Sequence, residues 1–382
     1  MQNASSIKIC FVSFAPQVHE LFQDSSSRTG GAAIQQVLVG HALKELGMKV
    51  EYVVPAVGPK PSEFESDGMK VRAGLMPSSG LRFVRALTPL LSTIRSLKEA
   101  HADVYHVWGP VRGTGYLALY CLWKRIPFIF NVYNNRDVDG TTERRLSRID
   151  RFLFRLVMRR APLIFAETNL ELELVRRNFG REGVLVRNMC APKANADAAT
   201  KRDIILWVGG FRAEKRPDMF VELAARLPDR QFVMVGGEYA GEEDLYRRIA
   251  DQALTMPNLA LTSKIPLDKV TEYYKRALVF VLTSTSEGFP NVILEAWREG
   301  TPVVSTFDPD GVMTKYKLGY YAEDLDGLEA GVRRLIDDRS TRITMGKRAI
   351  EYVREHHDPE SLAQQVMEAM CHLVRRPMEG QA

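Results

Sequence analysis

The chain has 382 residues, 45% hydrophobic and 26% charged, with a formal net charge of +5 at pH 7. That length exceeds one ordinary hydrophobic core, so two domains are expected, and the composition excludes a low-complexity or disordered chain. The basic excess suits anionic partners without choosing among nucleic acid, lipid and phosphorylated metabolites; no nucleic-acid motif of known spacing occurs, so no nucleic-acid partner is expected.

In chain order, residues 7–14 form a short apolar run expected as a strand. Residues 30–46 carry helical spacing through Val37, Leu38, His41, Ala42 and Leu46, with Gly47 as the stop. The spacing then predicts a strand at 49–55, a strand–helix–strand series at 104–108, 114–124 and 128–132, and a strand and helix at 163–166 and 170–179. Residues 188–201 lack a periodic apolar face and are rich in Pro, Ala, Asn, Asp and Thr, as an interdomain linker would be. A second alternating series follows at 204–208, 218–227, 232–235, 243–254, 279–283, 292–299 and 303–305. Alternation of this kind implies α/β architecture with doubly wound parallel sheets and ligands at the carboxyl ends of the strands. The expected domains are 1–187 and 202–360. The tail, 361–382, is expected as a helix with Leu362, Val366, Ala369, Met370 and Leu373 on one face, which must dock on something.

Cys10, Cys121, Cys190 and Cys371 lack metal-ligand or disulfide-framework spacing and read as free or buried thiols in a reducing compartment. No signal-peptide pattern opens the chain, and no run is long enough to cross a bilayer, so a cytoplasmic or membrane-surface location is expected.

The most informative segment is 284–302, STSEGFPNVILEAWREGTP. A strand runs into the turn Glu287-Gly288-Phe289, and Pro290 stands where a first helical residue belongs. The helix then starts with free N–H groups and the positive end of its dipole, a ready phosphate site. Glu287 before the helix and Glu295 inside it flank that site, and each carboxylate can accept two hydrogen bonds from a sugar diol.

This segment resembles the E-x(7)-E motif of the retaining glycosyltransferases of family four, which share the GT-B fold of two Rossmann-like domains facing a central cleft. The resemblance implies that Glu287 contacts the donor sugar and Glu295 the nucleotide ribose. It assigns the diphosphate to backbone amides at Asn291, Val292 and Ile293, with Gly288 and Phe289 in the same turn. Residues 207–228, WVGGFRAEKRPDMFVELAARLP, resemble the family's strand–loop–helix, and Lys215 falls on its diphosphate-binding lysine. The family's arginine falls on Gly210 here, and Arg212 is either its replacement or a solvated loop charge. TGGAA at 29–33 resembles the family's glycine-rich loop, which brings Gly30 and Gly31 into the donor-binding set. Tyr133 stands where the family often has a histidine. With Asn134 and Asp137 it is expected near the sugar or acceptor, as is His106, which reads either as a core histidine or as a ligand.

The implied reaction is retaining transfer of a hexosyl unit from a nucleoside diphosphate sugar, of UDP or GDP type, to a glycan or lipid-linked acceptor. No further cofactor is expected, and catalysis would rest on Glu287, Lys215 and Arg212. No carboxylate pair for double displacement is evident. A GT-B sugar-nucleotide epimerase and a non-catalytic sugar-nucleotide-binding homologue are the alternatives. Asp137-Val138-Asp139 and Asp308-Pro309-Asp310 are expected as turns rather than metal ligands. Finally, a helix over 144–160 would place Arg144, Arg148, Arg151, Arg155 and Arg159 in one stripe. That pattern fits an anionic membrane surface, or a helix whose apolar face docks on the sheet with its arginines solvated.

Overall fold

The computed structural model describes residues 7–23, 30–56, 61–76, 82–191, 201–263 and 265–375. The chain divides into two compact units, Met1–Met189 with Pro359–Ala382 and Cys190–Asp358.

The first unit runs β1 (Lys8–Val12), α1 (Pro16–Gln23), α2 (Gly31–Glu45), β2 (Lys49–Pro55), β3 (Ser62–Ser66), β4 (Met69–Leu75), α3 (Arg82–Ala100), β5 (Val104–Trp108) and α4 (Arg112–Lys124). It continues with β6 (Phe128–Asn131), α5 (Asn135–Val138), α6 (Thr141–Arg145), α7 (Arg148–Arg160), β7 (Leu163–Ala166), α8 (Asn169–Phe179) and β8 (Val184–Leu185). The strand order is β3-β4-β2-β1-β5-β6-β7-β8. Successive strand residues point to opposite faces, and helices cover both. Ile9 and Phe11 enter the core shared with α2, while Cys10 and Val12 enter the core shared with α3, α4 and α7.

One edge departs from the expected parallel sheet, because β3 and β4 pair antiparallel. Their connection is Asp67-Gly68 with φ of 49° and 66°, the positive pair that a two-residue hairpin turn requires. The signals were present in the sequence as Asp-Gly followed by the alternation Met69, Val71, Ala73 and Leu75, but both strands are half polar and β3 carries only Phe64 as an apolar residue.

The second unit runs β9 (Ile204–Gly210), a short 3-10 turn (Ala213–Lys215), α9 (Pro217–Arg226), β10 (Gln231–Gly237), α10 (Glu243–Thr255), β11 (Leu259–Thr262), α11 (Leu267–Arg276), β12 (Ala277–Leu282) and α12 (Asn291–Arg298). After these come β13 (Val303–Ser305), α13 (Val312–Tyr316), β14 (Gly319–Tyr321), α14 (Leu325–Asp337) and α15 (Arg339–His356). Its sheet is parallel throughout, in the order β11-β10-β9-β12-β13-β14. The last helix, α16 (Pro359–Arg375), returns to the first unit, where Leu362, Ala363, Val366 and Met370 join the α2 core.

The start of the expected linker is firmly held. The Met189 amide donates to Gln35 Oε1 at 2.7 Å, and Gln35 Nε2 donates back to the Met189 carbonyl at 2.9 Å. Residues 192–200 lie outside the described residues.

The carboxyl ends of β9 and β10 meet as paired glycines, Gly209 with Gly236 and Gly210 with Gly237. A Cβ added at Gly236 would lie 2.0 Å from the Gly209 carbonyl oxygen, so only glycine fits. At Gly30 an added Cβ meets nothing within 4 Å, and φ is −64°. Gly236→Ala should therefore lower the unfolding temperature by several degrees, equivalent to about 1–3 kcal/mol, while Gly30→Ala shifts it little. Thermal melts followed by circular dichroism check the contrast.

Candidate donor site

β9 and β12 are neighbours, so the loops that follow them leave the same edge of the sheet. Three bonds tie these loops together. Trp207 Nε1 donates to Thr283 Oγ1 at 3.1 Å, and the Thr283 hydroxyl donates to the Lys215 carbonyl at 2.5 Å. The Thr285 amide donates to the Glu214 carbonyl at 2.9 Å. With the backbones so joined, Lys215 Nζ forms an ion pair with Glu287 Oε1, both side chains being largely buried. A buried pair of this kind holds both charges in reach of a ligand while each compensates the other's desolvation.

Arg212 lies beside this pair's loop rather than in it. Its guanidinium pairs with Glu214 at 2.9 Å and lies over the Tyr239 ring at 5.0 Å. At Gly210, where the family pattern has arginine, a Cβ would make only an ordinary 3.7 Å contact with Tyr239.

α12 begins after Pro290 with no side-chain cap. The Ile293 amide donates to the Pro290 carbonyl at 3.1 Å, so this one of the three expected amides is engaged within the turn. Asn291 and Val292 occupy the first two helical positions. Gly288 is buried in the preceding turn. Phe289, expected in the donor-binding set, has its side chain in the core against His357 and Trp297, with centroids at 4.9 and 6.4 Å. An aromatic ring without polar atoms belongs there, so the Phe289 side chain leaves the expected donor-binding set. Glu295 lies one turn into the helix, and burial raises its carboxyl above the usual range against the pull of Tyr274 and Arg298. The Ser284 hydroxyl, at the exit of β12, is buried with no hydrogen-bond partner among the described residues.

In the first unit, Gly30 and Gly31 start α2, whose Ala33 amide donates to the Gly30 carbonyl at 3.0 Å; Thr29 lies outside the described residues. His106 is a core histidine. Its neighbours on β1, β5 and β7 are Phe11, Trp108 and Phe165, and it stacks on Trp108 at 3.9 Å. Burial pushes its imidazole down to about 3, against the pull of Asn131, so the ring is neutral. Tyr133 is exposed, and Asn134 caps α5 by accepting from the Arg136 amide at 2.9 Å. Asp137 is buried inside α5. Burial lifts its carboxyl from 3.8 to about 7, against hydrogen bonds from the Tyr133 and Asn134 backbone and from Thr142. Of the two D-x-D sequences expected as turns, Asp137-Val138-Asp139 instead ends helix α5, where Asp139 accepts from the Thr141 amide at 2.6 Å. Asp308-Pro309-Asp310 does lie in a short 3-10 turn, and Asp308 accepts from the Met313 and Thr314 amides at 2.8 and 3.0 Å.

Two family models match the chain. Residues 192–352 match the glycosyl transferases group 1, and residues 30–188 match the glycosyl transferase 4-like domain. The chain belongs to the family-four glycosyltransferases. A curated relative is the lipopolysaccharide core biosynthesis glycosyltransferase LpsE of Rhizobium meliloti (strain 1021), 27% identical over 174 residues. That match spans 43% of this chain and about half, 48%, of LpsE. Sucrose-phosphate synthase (tll1590) from Thermosynechococcus elongatus has the same fold, with a TM-score of 0.78 at 19% identity over 96% of this chain and 99% of that one. Anabaena Alr3699/HepE, solved in complex with UDP and glucose, gives 0.73 at 14% identity over 96% and 100%. The solved structures are GT-B glycosyltransferases, and the two parallel-sheet units of this family-four chain are of that fold.

The sequence reading missed the residues that hold this family-four site in shape. Trp207 within β9 and Thr283 at the exit of β12 join the two strands, and Tyr239 and Tyr274 flank Arg212 and Glu295. The polar run Thr283-Ser284-Thr285 after an apolar strand was the available signal.

The Asp137 carboxyl gives a pH test. Its folded pKa lies above the unfolded value, so the folded state binds the proton more tightly. The destabilisation is fully present above about 7 and is relieved as pH falls toward 3.8. Asp137→Asn carries no such charge. Its unfolding temperature relative to the parent should rise between pH 4 and pH 8 (about the window of that shift), and a pH-independent difference would contradict the burial argument.

Proposed function

We propose that this chain transfers a hexosyl unit, with retention, from a nucleoside diphosphate sugar of UDP or GDP type to a hydroxyl of a glycan or lipid-linked acceptor, in surface polysaccharide or glycolipid synthesis. The observation that carries the reading is the Lys215–Glu287 pair, set at adjacent strand ends beside the uncapped start of α12. On donor binding, Lys215 turns from Glu287 to the diphosphate, and the freed carboxylate accepts hydrogen bonds from the sugar hydroxyls. The Asn291 and Val292 amides and the dipole of α12 hold the phosphates. Arg212, anchored by Glu214 and Tyr239, adds a second cation at the rim. As the bond from the anomeric carbon to the diphosphate breaks, the leaving oxygen gains charge, and Lys215, Arg212 and the amides stabilise it. Glu295 takes the ribose. HepE, whose structure holds UDP and glucose, supports a nucleotide-sugar donor by analogy, and LpsE supports a saccharide acceptor.

These cations and amides leave no role that needs a divalent metal, so initial rates should survive excess chelator. A strict requirement for added magnesium or manganese would reject that part of the reading.

The two glutamates separate binding from turnover. Glu295→Ala removes a charge-assisted hydrogen bond worth about 1.5–3 kcal/mol, so affinity for the free nucleoside diphosphate should fall roughly ten- to a hundredfold. Glu287→Ala frees Lys215 and removes a negative charge, so diphosphate affinity should stay level or rise while turnover falls sharply. Calorimetry beside initial-rate assays measures both, and product analysis separates transfer from epimerisation. Unchanged nucleotide binding in Glu295→Ala with near-normal turnover in Glu287→Ala would overturn the assignment.

A further inference from the structure

The single helix expected over 144–160 is broken at Leu146-Ser147: Arg144 and Arg145 end α6, and α7 starts at Arg148 with Ser147 as its cap, so Arg144 falls outside the expected stripe. Arg151 faces inward, donating to the Glu143 carbonyl at 3.1 Å and to the Arg144 carbonyl at 3.4 Å. Leu153 and Val157 are buried, whereas Ile149 and Phe152 stand 65% and 67% exposed.

The neighbouring helix completes this surface. Arg112 of α4 donates to both Asp150 oxygens at 2.5 and 3.0 Å, and a Cβ added at Gly115 would lie 2.5 Å from Leu153 Cβ. α4 and α7 therefore lie side by side, residue 112 level with 150 and 115 with 153. On α4, the positions seven and eleven beyond Arg112 share its outward stripe. They are Leu119 and Trp123, 43% and 69% exposed. Four large apolar side chains thus lie outward along two packed helices as a broken ridge, Ile149 and Phe152 level with the start of α4 and Trp123 at its end, about 18 Å apart along the axis.

The ridge is set in positive charge. Lys124 Nζ lies 3.9 Å over the Trp123 ring, and Arg125, Arg145, Arg148, Arg155 and Arg159 are exposed around it. α4 and α7 contain one carboxylate, Asp150, which is paired with Arg112; Glu143 of α6 is paired with Arg155.

We propose that α4 and α7 form a docking face for an anionic lipid bilayer. Leu119, Trp123, Ile149 and Phe152 enter the headgroup boundary, and the cations meet lipid phosphates. Charge complementarity selects this occupant. A second copy meeting the face across a two-fold axis would set arginines against arginines. The proposal is independent of the transfer reaction, since no residue of the donor site takes part.

The chain carries its own probe. Trp108, Trp207 and Trp297 are buried, so a change in tryptophan emission on docking comes from Trp123. Vesicles of mixed phosphatidylcholine and phosphatidylglycerol should shift emission of the 382-residue chain to the blue, high salt should reverse the shift, and pure phosphatidylcholine should give little. Trp123→Phe should abolish the shift while the protein still co-sediments with anionic vesicles. Replacing Arg145, Arg148 and Arg159 by Gln should lower partitioning roughly a hundredfold, about fivefold for each charge. All these side chains are exposed, so unchanged melts in the variants separate lost docking from misfolding. No shift with anionic vesicles, equal binding to neutral ones, or a shift that persists in Trp123→Phe would each overturn the proposal. So would a blue shift that develops with protein concentration alone, which would assign the face to a second copy of the chain.

Discussion

The geometry of the candidate donor site depends on one side-chain hydroxyl. Thr283 Oγ1 accepts from the Trp207 indole and donates to the Lys215 carbonyl, and so fixes the loop after β9 against the exit of β12. Each neutral hydrogen bond contributes only about 1 kcal/mol, yet together with the Thr285–Glu214 backbone bond these two hold the Lys215 backbone opposite Glu287. The indole is fully buried and positioned by sheet packing, so the tie inherits the rigidity of the core. Gly236 serves the same end, since the close approach of its backbone to Gly209 lets the strands converge there.

The two motif glutamates occupy different environments. Glu287 is compensated by Lys215, whereas Glu295 faces Tyr274 and Arg298 under enough burial to raise its pKa. A carboxylate already matched by a lysine can release it to an incoming anion, with the ligand supplying the lost partner. One held in a buried polar niche keeps its orientation and suits a fixed contact. The difference in environment, more than the eight-residue spacing, is what gives the two carboxylates separate roles in the proposed reaction.

The first unit shows how context disposes of polar and apolar side chains. His106 stands on a central strand covered on both faces, and the core takes it in as a neutral ring. On α7 the outcome is reversed. Arg151 turns inward because carbonyls at the end of α6 offer acceptors, and Phe152 remains outside because Leu153 and Val157 already fill the contact with α4 and the sheet.

From the sequence alone came the alternation of strands and helices, four strands with their observed bounds, and the strand–turn–helix carrying Glu287 and Glu295. These rest on local physics: apolar periodicity, a proline at a helix start, glycines at stops. Tertiary structure decided whatever depends on residues distant in the chain. The hairpin β3–β4 escaped because its strands are half polar, and Phe289 proved to be core because His357, far along the chain, packs on it. Thr283 acquires its meaning only when β9 and β12 become neighbours, and Trp123 only when α4 lies beside α7. A residue's type and spacing determine the element that it joins. Which of its faces meets water, core or charge is set by the elements packed against it, and that information is spread over the whole chain.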